Sequence, residues 1–72
     1  MIIDNYSFRK FTKELRNLIT LSDEEIADLA GMWVVLAEND NGEYDLITDT
    51  YDYRHAQAVA NTIGGIYTRF VA

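Results

Sequence analysis

Residues 21–31, LSDEEIADLAG, constrain the fold more than any other stretch of this chain. Ser22 followed three residues later by Glu25 is a capping box, in which each side chain satisfies a backbone N–H that a helix start leaves unpaired. Leu21 and Ile26 occupy the two positions of a hydrophobic staple. Asp23, Glu24 and Glu25 load the first turn with the charge that the positive end of the helix favours. Gly31 suits a left-handed exit. A helix over about 23–30 is therefore specified locally, and a sharp turn follows it.

Both flanks can be read outward from that helix. Upstream, Phe8, Phe11, Leu15, Leu18 and Ile19 recur at spacings of three and four. This predicts a first helix over about 7–19, with Arg9, Lys10, Lys13 and Arg16 on its opposite face. Downstream, Trp33-Val34-Val35-Leu36-Ala37 is rich in strand-forming residues. Asn39-Asp40-Asn41-Gly42 then predicts a hairpin centred on Asn41-Gly42. The returning strand is expected over 43–48, with Tyr44, Leu46 and Thr48 on one face and Asp45 and Ile47 on the other. Residues 49–52 read as a polar connection, with Thr50 or Asp52 as the next helix cap. A third helix over about 53–63 presents Ala56, Val59, Ala60 and Ile63 to the core and stops at Gly64-Gly65. A last strand covers 66–71.

The order is α-α-β-β-α-β, an α+β fold. The third helix can return the chain so that the last strand runs parallel to the second and antiparallel to the first. That gives a small, mostly antiparallel three-stranded sheet in order 2-1-3, with helices packed on one face. The 72 residues are expected to form a single domain, 1–72. Phe11, Leu15, Ile26, Leu29, Val35, Val59, Ile63 and Phe70 are the expected core. The strand over 66–71 is expected at a sheet edge, where it could pair with a second copy as a homodimer.

Chemistry-bearing residues are few. The chain has no Cys and one His, so disulfides and the usual metal staples are not expected. His55 falls in the first turn of the third helix, and Ser7 and Ser22 at helix starts, where capping accounts for them. Asn39, Asn41 and Gly42 resemble the middle of a calcium loop. Ala37 and Thr48 stand where its first and last acidic ligands would be required. Residues 25–31 resemble the start of a helix-turn-helix, but 32–39 carries no base and favours strand. No enzyme activity, no cofactor and no direct contact with nucleic acid are expected. Residues 1–5 (MIIDN) have no leader character, and no run of 18 apolar residues occurs, so a cytoplasmic protein without membrane contact is expected.

Charge distribution is the unusual feature. The net charge is −6, yet residues 21–53 carry ten acids and neither Lys nor Arg. Such a stretch repels phosphate backbones and attracts basic surfaces. Within it, Glu43, Tyr44, Asp45, Asp49, Tyr51, Asp52 and Tyr53 interleave acids with tyrosines, which are favoured at interfaces. In size, acidity and lack of catalytic motifs the chain resembles small phage-encoded inhibitors, including anti-CRISPR and other DNA-mimic proteins. The resemblance covers composition, rests on no motif and transfers no residue roles. It implies an acidic protein-binding module that blocks a basic, nucleic-acid-binding partner. The alternative is a small adapter or assembly protein acting through an apolar surface.

Overall fold

The computed structural model describes residues 7–71; residues 1–5, read above for leader character, lie outside them. The elements are α1 (Lys13–Leu18), α2 (Asp23–Asp28), β1 (Trp33–Glu38), β2 (Tyr44–Thr50), α3 (Tyr53–Ile63) and β3 (Ile66–Arg69). The architecture is α+β with sheet order β2-β1-β3. β1 is antiparallel to both neighbours, so β2 and β3 run parallel on either side of it.

The capping box forms as the sequence requires. Ser22 Oγ accepts from Glu25 N at 3.2 Å, and Glu25 Oε1 accepts from Ser22 N at 3.0 Å. The Ser22 backbone N–H, and then its hydroxyl, hold the Glu25 carboxyl below its usual pKa. α2 ends at Asp28 rather than near residue 30, and Gly31 then takes a φ of 87°.

α1 is much shorter than the expected 7–19. Thr12 caps it, accepting from Leu15 N at 3.2 Å. Residues 7–9 instead lie along the outer edge of β3. Tyr67 N donates to the Ser7 carbonyl at 2.8 Å, and Arg9 N donates to the Tyr67 carbonyl at 3.0 Å. Backbone pairing on an open edge outweighs the helical spacing of Phe8 and Phe11. The expected basic helix face is thereby split: Lys13 and Arg16 stay on α1, while Arg9 and Lys10 do not. The β3 edge, expected to be open for a second copy, is occupied at Tyr67 by the chain's own residues.

The expectation that the helices cover one face of the sheet is also corrected. Successive β1 side chains point to opposite faces, and both faces are packed. Val34 and Leu36 join Leu15, Ile19, Ile26, Ile66 and Phe70 on the α1–α2 side. Val35 joins Ala56, Ala60 and Tyr67 on the α3 side. A sheet buried on both faces explains why β1 reads as a continuous apolar run. The two fully buried alanines bring α3 close to the sheet. Gly65, two residues beyond α3, also lies close to the sheet: a Cβ there would lie 2.4 Å from the Leu36 carbonyl oxygen.

Of the expected core, Leu15, Ile26, Val35 and Phe70 are buried, and Phe11, Leu29 and Val59 are half-buried. Ile63 is 45% exposed. At about 100° per residue it lies between Ala56 and Val59 around α3, so its exposure is axial. It occupies the final turn, beside the last β1–β3 pair, Leu36 and Ile66.

The hairpin forms, with a three-residue loop. Asn39 N donates to the Glu43 carbonyl at 2.7 Å, and Gly42 N to the Asn39 carbonyl at 3.1 Å. Gly42 alone has positive φ there (78°), the pattern of a turn closed by a glycine in the left-handed region.

Candidate interaction surface

Residues 43–53 are contiguous in sequence but do not form one surface. A β-bulge divides them. Leu46 opposes Leu36 and Thr48 opposes Val35, so Ile47 opposes neither. Tyr44 and Leu46 therefore pack towards the α1–α2 core, while Thr48 moves to the α3 face, against the simple alternation expected. The same shift separates Asp45 and Asp49, which unbroken alternation would have kept on one face.

The seven candidate residues fall into two groups. Tyr44, Asp45 and Asp52 carry structural work. Tyr44 is half-buried, and its carbonyl accepts from Thr20 N at 3.0 Å. Asp45 Oδ1 accepts from Thr20 Oγ1 at 2.8 Å and from Asn39 Nδ2 at 3.3 Å. Asp52 caps α3, accepting from Arg54 N at 2.9 Å. Glu43, Asp49, Tyr51 and Tyr53 are exposed, with Tyr51 at 84%. Further acids are likewise occupied: Asp23 pairs with Arg16, and Glu25 completes the capping box. Within residues 21–53, Glu24, Asp28, Glu38, Asp40, Glu43 and Asp49 are exposed, and their carboxylates make no hydrogen bond or ion pair with any described residue. Three of these, Glu38, Asp40 and Glu43, ring the hairpin tip.

At the opposite end of the sheet the surface is aromatic. The Tyr53 ring lies 6.0 Å from Trp33, Trp33 lies 6.4 Å from Phe8, and both Trp33 and Phe8 contact Tyr67 beneath them, at 5.8 and 5.6 Å. Tyr53 is 48% and Phe8 40% exposed. The Arg69 guanidinium sits 6.0 Å from the Trp33 ring centre, and its Nε donates to the Gly31 carbonyl at 3.2 Å. Hydrogen bonding to Tyr53, and then its charge, raise the already high pKa of Arg54.

A cleft of about 150 Å³ adjoins this cluster. It opens where residues 8–11 leave the β3 edge. Phe8, Phe11, Trp33 and Val71 give it apolar walls, and Lys10, Thr68 and Arg69 complete the lining. Thr68 is 1% exposed, and its hydroxyl oxygen has no hydrogen-bond partner among the described residues. Sequence reasoning passed over Trp33, Phe8 and Thr68. The first two have the composition and spacing of ordinary strand and helix residues, and an alternating strand gives no hint that a threonine hydroxyl will be stranded.

The other chemistry-bearing residues have local explanations. Ser7 is buried and its Oγ donates to Asn61 Oδ1 at 2.6 Å. Asn39 Oδ1 accepts from the backbone N–H groups of Asn41 and Glu43, at 2.8 and 3.0 Å, which makes it a turn residue. His55 is exposed on α3. The helix-turn-helix likeness ends at Trp33, where β1 begins. No helix of the described residues is long and apolar enough to cross a membrane. Comparison with protein-family models, curated proteins and solved structures found no match to this chain.

Proposed function

We propose that this protein is an interaction module, an adapter that grips a protein partner through the aromatic end of its sheet. The observation that carries this reading is the solvent-facing group of Tyr53, Trp33 and Phe8, with the exposed Tyr51 two residues before Tyr53 in the chain. Soluble proteins seldom leave aromatic rings grouped at the surface without a use for them. Tyr and Trp offer large contact area at low entropic cost and dominate binding energy where they occur.

A second reading has its own support. The uncommitted acids at the hairpin tip, Glu38, Asp40 and Glu43, suit a basic partner and the role of an acidic inhibitor of the DNA-mimic kind. The tip lies about 17 Å from Trp33 along β1, at the usual rise per residue. The two readings therefore concern separate surfaces and can be tested separately.

The test is capture of the natural partner by immobilised protein at two salt concentrations. On the adapter reading, Tyr51→Ala with Tyr53→Ala abolishes capture, and the interaction survives 0.5 M salt. On the acidic reading, Glu38→Gln, Asp40→Asn and Glu43→Gln together abolish it, and salt alone disrupts it. Capture that withstands the tyrosine variant and yields to the charge variant would replace the first reading with the second.

A further inference from the structure

The cleft beside β3 combines three features that point to one kind of ligand. Its walls are the side chains of Phe8, Phe11, Trp33 and Val71, and its volume is about 150 Å³. An apolar cavity of that size is known to accept benzene, so one Phe-sized or Leu-sized side chain fits. The carbon stems of Lys10 and Arg69 line the same almost wholly apolar space, both residues are exposed, and neither has a carboxylate partner among the described residues. The Arg69 guanidinium is already pinned by the Gly31 carbonyl and the Trp33 ring, so little side-chain freedom is lost when it receives a ligand. The third feature is Thr68, whose buried hydroxyl lacks a partner among the described residues. Stranded hydroxyls are uncommon in folded proteins, and a site that meets its partner only on binding is one reason to keep one.

Resting on the adapter reading above, we propose that this cleft receives an acidic-apolar segment of a protein partner: an aromatic or large aliphatic side chain with a neighbouring carboxylate. The ring or alkyl group enters between Phe8, Phe11 and Trp33. The carboxylate stays at the rim of the cleft, where the exposed Lys10 and Arg69 meet it in charge-assisted hydrogen bonds. The bound segment must part the floor of the cleft for the buried Thr68 hydroxyl to donate to one of its oxygens. This is the opposite polarity to the hairpin tip, so the two ends of the sheet select partners of opposite charge.

The test titrates the peptide acetyl-Gly-Phe-Asp-Gly-amide into the protein. Fluorescence follows Trp33, the only tryptophan, and amide NMR shifts locate the site. Saturable changes at Trp33, Thr68 and Arg69 are expected at millimolar peptide. Replacing Asp by Asn in the peptide should weaken binding about tenfold, the value of one charge-assisted contact, and replacing Phe by Ala should weaken it by about tenfold or more through lost apolar burial. Lys10→Gln, an exposed position, should do the same. Thr68→Val should weaken binding while the protein itself melts no lower, a split that a purely structural residue would not produce. Equal binding of the Asn peptide, shifts elsewhere, or no response would overturn the proposal. So would a concentration-dependent dimer that Lys10→Gln dissolves, since the occupant would then be a second copy. If the peptide fails while Tyr51→Ala with Tyr53→Ala still abolishes partner capture, this proposal falls and the adapter reading stands. If the tyrosine variant also captures normally, the adapter reading falls with it.

Discussion

Replacing Thr68 by Val should stabilise the protein. Thr68 sits on β3 opposite Val34, is 1% exposed, and its hydroxyl oxygen meets no donor or acceptor among the described residues. Burying a hydroxyl without a hydrogen bond costs about 1–3 kcal/mol by mutational measure. Valine has nearly the same shape and branches at the same carbon, so it keeps the strand preference and removes that cost. The new methyl also adds buried apolar surface. The expected gain is about 1–3 kcal/mol. For a domain of this size each kcal/mol raises the melting temperature by about 4–8 °C. Thermal unfolding followed by circular dichroism measures it directly. Thr68→Ser serves as the control. It keeps the stranded hydroxyl and loses a buried methyl, so it should melt below the parent. A Thr68→Val protein that melts lower than the parent would mean that the hydroxyl is satisfied in solution, and the argument from a stranded group would fail.

Three further outcomes test the fold. Gly65→Ala should destabilise by more than about 2 kcal/mol in urea unfolding, because its Cβ meets backbone at 2.4 Å where nothing flexible can yield. A parent-like midpoint would refute the close approach of Gly65 to β1. Leu15→Ala should cost about 2–5 kcal/mol, since Leu15 is buried between α1 and the sheet; unchanged melting would refute that packing. The capping box predicts an acid-labile contribution. Glu25 has a folded pKa below its usual 4.5, so its share of stability is present above 4.5 and is lost as pH falls through the lowered value. Glu25→Gln can still accept from the Ser22 N–H, so it should fold and show a flatter stability profile between pH 5 and 3 in denaturant titrations at successive pH values.

Local signals in the sequence were legible wherever one residue's side chain answers one backbone group. The capping box at Ser22 and Glu25, the turn at Gly42 and the stop at Gly64 are of this kind, and with them came the element order and the strand order. The misread features were settled by competition between distant parts of the chain. Phe8 and Phe11 have helical spacing, yet an unpaired β3 edge claims residues 7–9. Thr12 was the available clue, since a threonine three residues before Leu15 can start a helix there. The second packed face was signalled by the unbroken apolar run from Val34 to Leu36, which a sheet covered on one side does not need. The bulge at Ile47 had no signal of its own: register is decided by which β2 side chains best fill the space opposite Val35 and Leu36.

That bulge carries the argument about the candidate residues. Unbroken alternation would have set Asp45, Ile47 and Asp49 on one face of β2, an acidic strip with an apolar centre. The extra residue directs Leu46 into the core beside Leu36, turns Thr48 towards α3 and leaves Ile47 49% exposed at the kink. Asp45 is drawn into hydrogen bonds with Thr20 and Asn39, so neutralising it would disturb the fold as well as the charge. A charge variant meant to report on binding should therefore spare Asp45 and Asp52 and act at Glu38, Asp40 and Glu43. The bulge also kinks β2 beyond the point where Thr20 covers Tyr44, which discourages a second chain from pairing along that edge. With β3 occupied at Tyr67 and β2 kinked at Ile47, backbone pairing is hindered on both sides of the sheet. On the proposed interaction readings, side chains are then the means of association: aromatic and cationic ones at the Trp33 end, carboxylates at the hairpin tip.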